Sequence, residues 1–186
     1  MSDNGHRVPI RDARPTDLPE ILAIHNNAIA ETTAIWDTEP ADLDERRAWL
    51  RDREAAGFPV LVADIDGAVA GYASYGRFRP KSGYRFSVEN SVYVADRFHR
   101  RGIATALLTE LLARAERGGR VHAMIAAIES SNITSIALHE KFGFGTVGVL
   151  PEVGHKFGRW MDLTLMQLTF VTVDLAESGN DSVTSR

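Results

Sequence analysis

The sequence predicts a mixed α/β sandwich, and three observations carry that prediction. An Asp66-Gly67 pair separates two apolar runs and reads as a tight hairpin turn. Ile103, Leu107, Leu108, Leu111, Leu112 and Ala115 recur at three- and four-residue steps, the spacing of one buried helical face. Short strand-like runs alternate with such helical segments along the chain, which places helices against a sheet.

Taken in order, "VPIRDA" predicts a strand, and a helix follows from Pro15 to Ala30 carrying Leu18, Ile21, Leu22 and Ile29. A loop with "TTAIWDTEP" leads to a second helix, Leu43 to Ala56. "PVLVADI" and "AVAGYASYGRF" form the hairpin, and the cationic loop "RFRPKSGYR" precedes a strand, "SVENSVYV". The helix after Gly102 stops at Gly118 and Gly119, since glycine takes the left-handed conformation that ends many helices. "VHAMIAAI" predicts a buried strand, a helix from Ser131 to Phe142 stops at Gly143, and "GTVGVLP" and "WMDLTLMQLTF" predict two final strands.

With 186 residues, 44% of them hydrophobic, the chain has enough apolar material for one core. One domain over residues 8–172 is expected, with flexible polar ends at 1–7 and 173–186. The formal charge of -4 argues against nucleic acid, whose partners carry a basic signature. No run of about 18 apolar residues spans a bilayer, and the first residues lack the apolar centre of a signal peptide, so a cytoplasmic protein without a membrane partner is expected. Zero cysteines exclude disulfides and thiolate chemistry, and the six histidines show no metal-binding spacing, so no metal is expected.

Two features suggest chemistry. The first-turn amides of the helix after Gly102 lack carbonyl partners and, with the helix dipole, suit an anion; Arg100 and Arg101 add full charges there. The strand before it alternates, so Val88, Asn90, Val92 and Val94 share one face while Glu89, Ser91 and Tyr93 share the other. Glu89 either sits on a solvated face, paired with Arg85 or Lys81, or is an acid or base in a cleft, where partial burial raises its pKa.

"SVYVADRFHRRGIATALL" resembles the acetyl-CoA signature of the GNAT superfamily of N-acetyltransferases, a strand, an Arg/Gln-x-x-Gly-x-Gly/Ala loop and a helix. Gly102 and Ala104 match that loop, and His99 replaces its usual first residue. "AAIESSNITSIALHEKFGF" is similar to the later part of the same pattern. Across about Ile10 to Phe170, "AETTAIWDTEP", "GYASYGRFRP", "SVENSVYV" and "GHKFGRWMDLTLMQL" resemble the phosphinothricin and methionine sulfoximine N-acetyltransferases, in order and in spacing.

The resemblance implies the GNAT fold, a central mixed and mostly antiparallel sheet flanked by helices, with acetyl-CoA as co-substrate. It implies that the amides of Arg100, Arg101, Gly102, Ile103, Ala104 and Thr105 hold the pyrophosphate, and that Val92, Tyr93 and Val94 pair with the pantetheine arm. Asn132 reads by itself as a helix cap or turn residue; the resemblance brings its amide to the cofactor. His139 alone reads as structural or solvent-facing, whereas the resemblance makes it an acid/base candidate beside Glu89. Tyr93 packs on the sheet and is placed to orient the amine or protonate the leaving thiolate.

For a small amino-acid substrate, Arg79, Pro80, Lys81 and Tyr84 from the cationic loop are expected to act with Glu89, Asn90, Ser91 and Trp36, since arginine forks suit carboxylate, sulfoximine and phosphinate oxygens. Thr33 and Ile35 join Trp36 as an apolar wall. "GHKFGRW" is expected to reach the pocket across a homodimer, bringing Lys156, Phe157 and Trp160. The alternatives are a non-catalytic acyl-CoA-binding regulatory domain and an acetyltransferase for protein N-termini or aminoglycosides.

Overall fold

The computed structural model describes residues 8–171; the ends expected to be flexible lie outside the described residues. The elements run β1 (Ile10–Asp12), α1 (Leu18–Glu31), α2 (Leu43–Ala55), β2 (Val60–Ile65), β3 (Ala68–Arg77), β4 (Ser87–Val94), α3 (Ile103–Gly118), β5 (Ala123–Glu129), α4 (Ile133–Lys141), β6 (Gly145–Lys156) and β7 (Arg159–Thr169). The strands form one seven-stranded sheet in the order β1-β2-β3-β4-β5-β7-β6. Every neighbouring pair is antiparallel except β4 and β5, which are parallel. The expected mixed, mostly antiparallel sheet flanked by helices is the one observed.

Alternation along β2 divides the core into two layers. Leu61 and Ala63 face α3, where Leu107, Leu108 and Leu111 are fully buried with Met124 and Met166. Val60 and Val62 face the other way, toward Leu18, Ile21 and Ile24 of α1 and Leu50 of α2. The α3 stripe is therefore the one its apolar spacing predicted. The β2–β3 hairpin turns on Asp66 and Gly67, at φ 53° and 83°, and Asp64 Oδ1 accepts the Gly67 amide at 2.9 Å. Asp42 and Glu45 cap α2 reciprocally, at 2.9 and 2.7 Å.

The structure differs from the predicted elements in two places. Pro15–Asp17 is a 3-10 turn, and α1 begins only at Leu18. Asp17 explains this, because its carboxylate accepts the Arg14 amide at 2.6 Å and the Arg11 guanidinium at 2.7 and 2.9 Å, which tightens the turn. The strand predicted to end at Pro151 instead continues to Lys156. It crosses an irregular stretch between Leu150 and Gly154, where Glu152 adopts φ 49° and its amide donates to Asp162 Oδ1 at 2.8 Å. "GHK" is therefore strand, and Phe157-Gly158, at φ 52° and 72°, turns the β6–β7 hairpin.

Leu108 sits at the centre of the α3 layer without solvent exposure. Leu108→Ala is expected to lower unfolding stability by about 2–5 kcal/mol, read from the urea midpoint at unchanged slope.

Candidate active site

The sheet opens where β4 and β5 separate. They pair only over Ser87–Glu89 and Ala123–Ile125; beyond that, β4 follows β3 to Val94 while β5 follows β7 to Glu129. The facing edges of Asn90–Val94 and Ala126–Glu129 have no strand between them, so the backbone groups that point into the gap, apart from the Val94 carbonyl, are available to a ligand. The two edges line a cleft of about 950 Å³ that continues to the start of α3.

That end of the cleft is built from an unusual backbone. A 3-10 turn at Asp96–Phe98 is followed by Arg100 at φ 61° and Gly102 at φ 75°. A left-handed arginine costs energy that glycine avoids, and such positions cluster at ligand sites. The two turns aim the chain so that α3 starts into the cleft, its first helical bond being Ala106 N–H to the Gly102 carbonyl at 2.9 Å. The amides of Ile103, Ala104 and Thr105 precede that bond, and all three residues line the cleft with Arg100 and Gly102. The Arg101 guanidinium lies 5.5 Å from the ring of Phe98, which is itself part of the cleft wall. His99 donates through Nε2 to the Val94 carbonyl at 3.0 Å, so the imidazole clamps the loop to the end of β4.

Glu89 lies at the fork itself. Water reaches it from the cleft, yet the surrounding protein desolvates its carboxyl enough to raise its pKa, against the opposing charges of Arg79 and Arg53. Tyr93, on the same face, packs against Tyr72 at 5.2 Å between ring centres. Burial, with the Glu89 and Asp37 charges, pushes its phenol up to about 12, so it stays protonated at neutral pH and is available as a donor. Ser91 lines the same cleft.

The opposite face of β4 carries Asn90 and His139 together. His139 Nδ1 donates to the Ser135 carbonyl at 2.8 Å, which leaves Nε2 to accept the Asn90 amide at 3.0 Å. Both side chains are buried, and burial lowers the imidazole pKa. Asn132 caps α4, its Oδ1 accepting the Ser135 amide at 3.1 Å, while the residue also lines the cleft.

The remaining wall is the segment Thr32–Trp36. Lys156 is buried in the same chain and donates to the Thr32 and Ile35 carbonyls at 2.9 and 2.5 Å. Gly154 lies beneath Trp36, where a Cβ would overlap the indole. Glu129 accepts the Thr33 hydroxyl at 3.1 Å and the Ser131 hydroxyl at 2.5 Å. Desolvation opposes its charge, but the hydroxyl and amide of Ser131, the Thr33 hydroxyl and Arg159 outweigh it, and the carboxyl titrates below the usual range.

Trp36, Thr33 and Ile35 therefore meet Glu89 and Tyr93 in one cavity, whereas Arg79, Pro80, Lys81 and Tyr84 are exposed and stand outside its wall. Arg79 lies 4.8 Å from the Phe78 ring and acts on Glu89 only through its charge. Phe157 and Trp160 are exposed on the outer side of the hairpin. Sequence reasoning missed Glu129, which looked like one residue of a strand, and Arg53 of α2. The one sequence signal near Arg53 is Gly76, a glycine inside a strand, which marks a close approach. Among the described residues no group of three or more His, Cys, Asp or Glu side chains is arranged to hold a metal, and no helix is long and apolar enough to cross a membrane.

The sheet splits at a carboxylate and a left-handed turn delivers helix amides to the split; the chain belongs to the acetyltransferase (GNAT) family, whose sequence profile matches residues 21–144. It is 54% identical over 160 residues to the L-methionine sulfoximine/L-methionine sulfone acetyltransferase of Pseudomonas aeruginosa, covering 86% of this chain and 92% of that one. A phosphinothricin acetyltransferase from Sinorhizobium meliloti, crystallised in complex with AcCoA, superposes with a TM-score of 0.88 at 32% identity, covering 95% of this chain and 97% of that one. The structure described as ribosomal-protein-alanine N-acetyltransferase from Brucella melitensis matches with a TM-score of 0.85 at 51% identity, over 87% and 99% of the two chains.

Behind Tyr93, His25 and the Tyr72 hydroxyl share a hydrogen bond at 3.1 Å, and burial lowers the His25 pKa from 6.5 to about 4. The unfolded chain takes up this proton near pH 6.5 and the folded chain does not, so the contribution is full above 6.5 and is lost as pH falls toward 4. Urea midpoints are expected to show a loss of about 3 kcal/mol from His25 over this window, with His139 adding in the same direction. The loss shrinks in His25→Gln.

Proposed function

We propose that the protein transfers the acetyl group of acetyl-CoA to the α-amino group of a small amino-acid-like substrate such as L-methionine sulfoximine, L-methionine sulfone or phosphinothricin. The observation that carries this reading is the position of Glu89, an acceptor with a raised pKa at the fork of a cleft whose far end presents helix amides. The cleft suits the co-substrate along its length. The amides of Ile103, Ala104 and Thr105, with Arg100, suit the pyrophosphate. The unpaired edge of β4 suits the amide-containing pantetheine arm, which adds to a sheet edge as a strand does.

A free amino acid arrives as an ammonium with no lone pair. Glu89 removes its proton, directly or through a water, and the neutral nitrogen attacks the thioester carbonyl. A backbone amide of the open β4 edge stabilises the oxyanion of the tetrahedral intermediate. Collapse breaks the carbon–sulfur bond, and Tyr93, held protonated, gives its proton to the thiolate. The acylated nitrogen gives up its second proton, which passes through water to reprotonate Tyr93, and Glu89 releases the first proton to water, so amide, free thiol and one proton leave. We assign the base to Glu89 rather than His139, because the free lone pair of His139 already accepts the Asn90 amide and the ring serves to orient Asn90.

The cations that act on Glu89, Arg79 and Arg53, bring positive charge to the fork, which disfavours a polycationic acceptor. This supports a free amino acid over an aminoglycoside, and the intact acid, phenol and cation set supports an enzyme over an acyl-CoA sensor. The resemblance to the protein described as a ribosomal-protein-alanine acetyltransferase makes an alanine-starting peptide the comparison substrate.

The partner proposed for the outer face of the β6–β7 hairpin is a second copy of the chain. β6 is an edge strand, and Val147, Val149, Val153, Phe157 and Trp160 expose apolar side chains along the hairpin, a combination that soluble edges normally avoid. A cytoplasmic location remains part of this proposal, as the place where acetyl-CoA and free amino acids meet.

Thiol release from acetyl-CoA is expected with L-methionine sulfone and L-methionine sulfoximine, and not with an alanine-starting peptide or an aminoglycoside; the reverse preference overturns the substrate assignment. Glu89→Gln is expected to reduce turnover by about 10²- to 10⁴-fold while calorimetry shows coenzyme A binding unchanged. In sedimentation velocity the wild type is expected to run as a dimer and Trp160→Glu as a monomer.

A further inference from the structure

Glu89 is paired in the sheet with a residue that has no side chain. Gly76 of β3 is the direct partner of Glu89 in the β3–β4 register. Directly opposite residues in an antiparallel pair project to the same face, so a side chain at position 76 would stand beside the Glu89 carboxylate. The space above Gly76 is filled instead by the guanidinium of Arg53, reaching across from α2, and a Cβ on Gly76 would overlap its Cζ and Nη1.

The Arg53 side chain is held there by its surroundings. Its guanidinium carbon lies 5.9 Å from the centre of the Trp49 ring, and Nε is buried without a hydrogen-bond partner among the described residues. Arg46, on the same helix, shares both features, 5.3 Å from the same ring and with a buried, unpartnered Nε. Burying a guanidinium nitrogen without an acceptor is unfavourable, so packing alone is a poor reason for two such arginines. Asp52 and, after it, Glu89 are the acidic groups whose charges act on this guanidinium, and the strand register places Glu89 on the face of Gly76 that Arg53 covers.

We propose that Arg53 is a positioning residue for acetyl transfer: admitted by the bare backbone of Gly76, its guanidinium faces the Glu89 carboxylate and holds it in the charged, proton-accepting form. This rests on Glu89 being the base. Desolvation in the cleft pulls the other way, toward a protonated carboxyl that accepts nothing, so a nearby fixed cation keeps a partly buried base usable below neutral pH. The charged and titratable groups around Glu89 are Arg53 from α2, Arg79 from the loop after β3 and Tyr93 along β4. Asp52 and Arg46 act on Arg53, and Asp37 and Arg46 act on Tyr93. Removing the Arg53 charge raises the Glu89 pKa further, which moves the acid limb of the rate profile to higher pH.

The experiment compares pH profiles of kcat/KM, measured by thiol release with acetyl-CoA and L-methionine sulfone, for the wild type, Arg53→Met, Arg53→Lys, Gly76→Ala and Glu89→Gln. Arg53→Met removes the charge. Gly76→Ala retains every charge and pushes only the flexible end of Arg53 away. Both are expected to shift the midpoint of the acid limb upward by roughly half a pH unit or more, with the midpoint of Arg53→Lys between theirs and the wild type's. An unmoved midpoint in both, whatever the fall in activity, overturns the proposal and leaves Arg53 a structural or substrate-anchoring residue. If Arg53→Met fails to fold, as judged by circular dichroism, Gly76→Ala decides alone. Glu89→Gln separates the two levels of the argument: if it keeps the acid limb, the base assignment fails; if it loses the limb while the Arg53 and Gly76 variants keep the wild-type midpoint, only the role of Arg53 fails.

Discussion

The parting of β4 from β5 is the constraint on which the rest of the structure depends. A parallel pair needs a crossover, and here α3 supplies it by packing Leu107, Leu108 and Leu111 under the sheet. The pair lasts only to Glu89; beyond it β4 stays paired with β3 and β5 with β7. One gap therefore produces two exposed strand edges, the cleft between them and the placement of the α3 amides at its end. Had β4 and β5 remained paired to their tips, the same residues would close the cleft with ladder hydrogen bonds.

The two faces of β4 perform different work because their neighbours differ. Toward α3 and α4, Val88, Val92 and Val94 pack in hydrocarbon, and the one polar residue, Asn90, is satisfied by His139, whose tautomer follows from the Ser135 carbonyl. Toward α1 and α2 the strand presents Glu89 and Tyr93 beside guanidinium groups and other aromatic rings. Both groups are desolvated, with consequences that suit opposite roles: a carboxyl whose pKa rises becomes a stronger base, and a phenol whose pKa rises keeps its proton for delivery.

The β6–β7 hairpin links the outer surface to the cleft. Its inner side braces Thr32–Trp36, through Lys156 on two carbonyls and the bare Gly154 beneath Trp36. Lys156 thus acts within its own chain, where the sequence had suggested a contribution across a dimer, while Phe157 and Trp160 of the same hairpin face outward.

Much of this was legible in the chain itself, where local rules suffice. The α3 stripe, its glycine limits, the Asp66-Gly67 turn and the alternation of β4 depend on residues near one another in sequence, and periodicity reports them directly. The turn that opens α3 belongs to the same class, since its glycine and the helix after it are adjacent. Local chemistry also accounts for the late start of α1, although the Asp17 tie to Arg11 and Arg14 carries no strong sequence signal. Tertiary structure alone decided which distant groups meet. Glu89 becomes a fork residue because β5 leaves it; the loop with Arg79 lies outside the cavity it was expected to line; Arg53 covers the face of β3 beside Glu89 because Gly76 yields its space. These relations depend on strand register and helix packing between segments far apart in the chain, and register has no local signature, so only the folded molecule contains them.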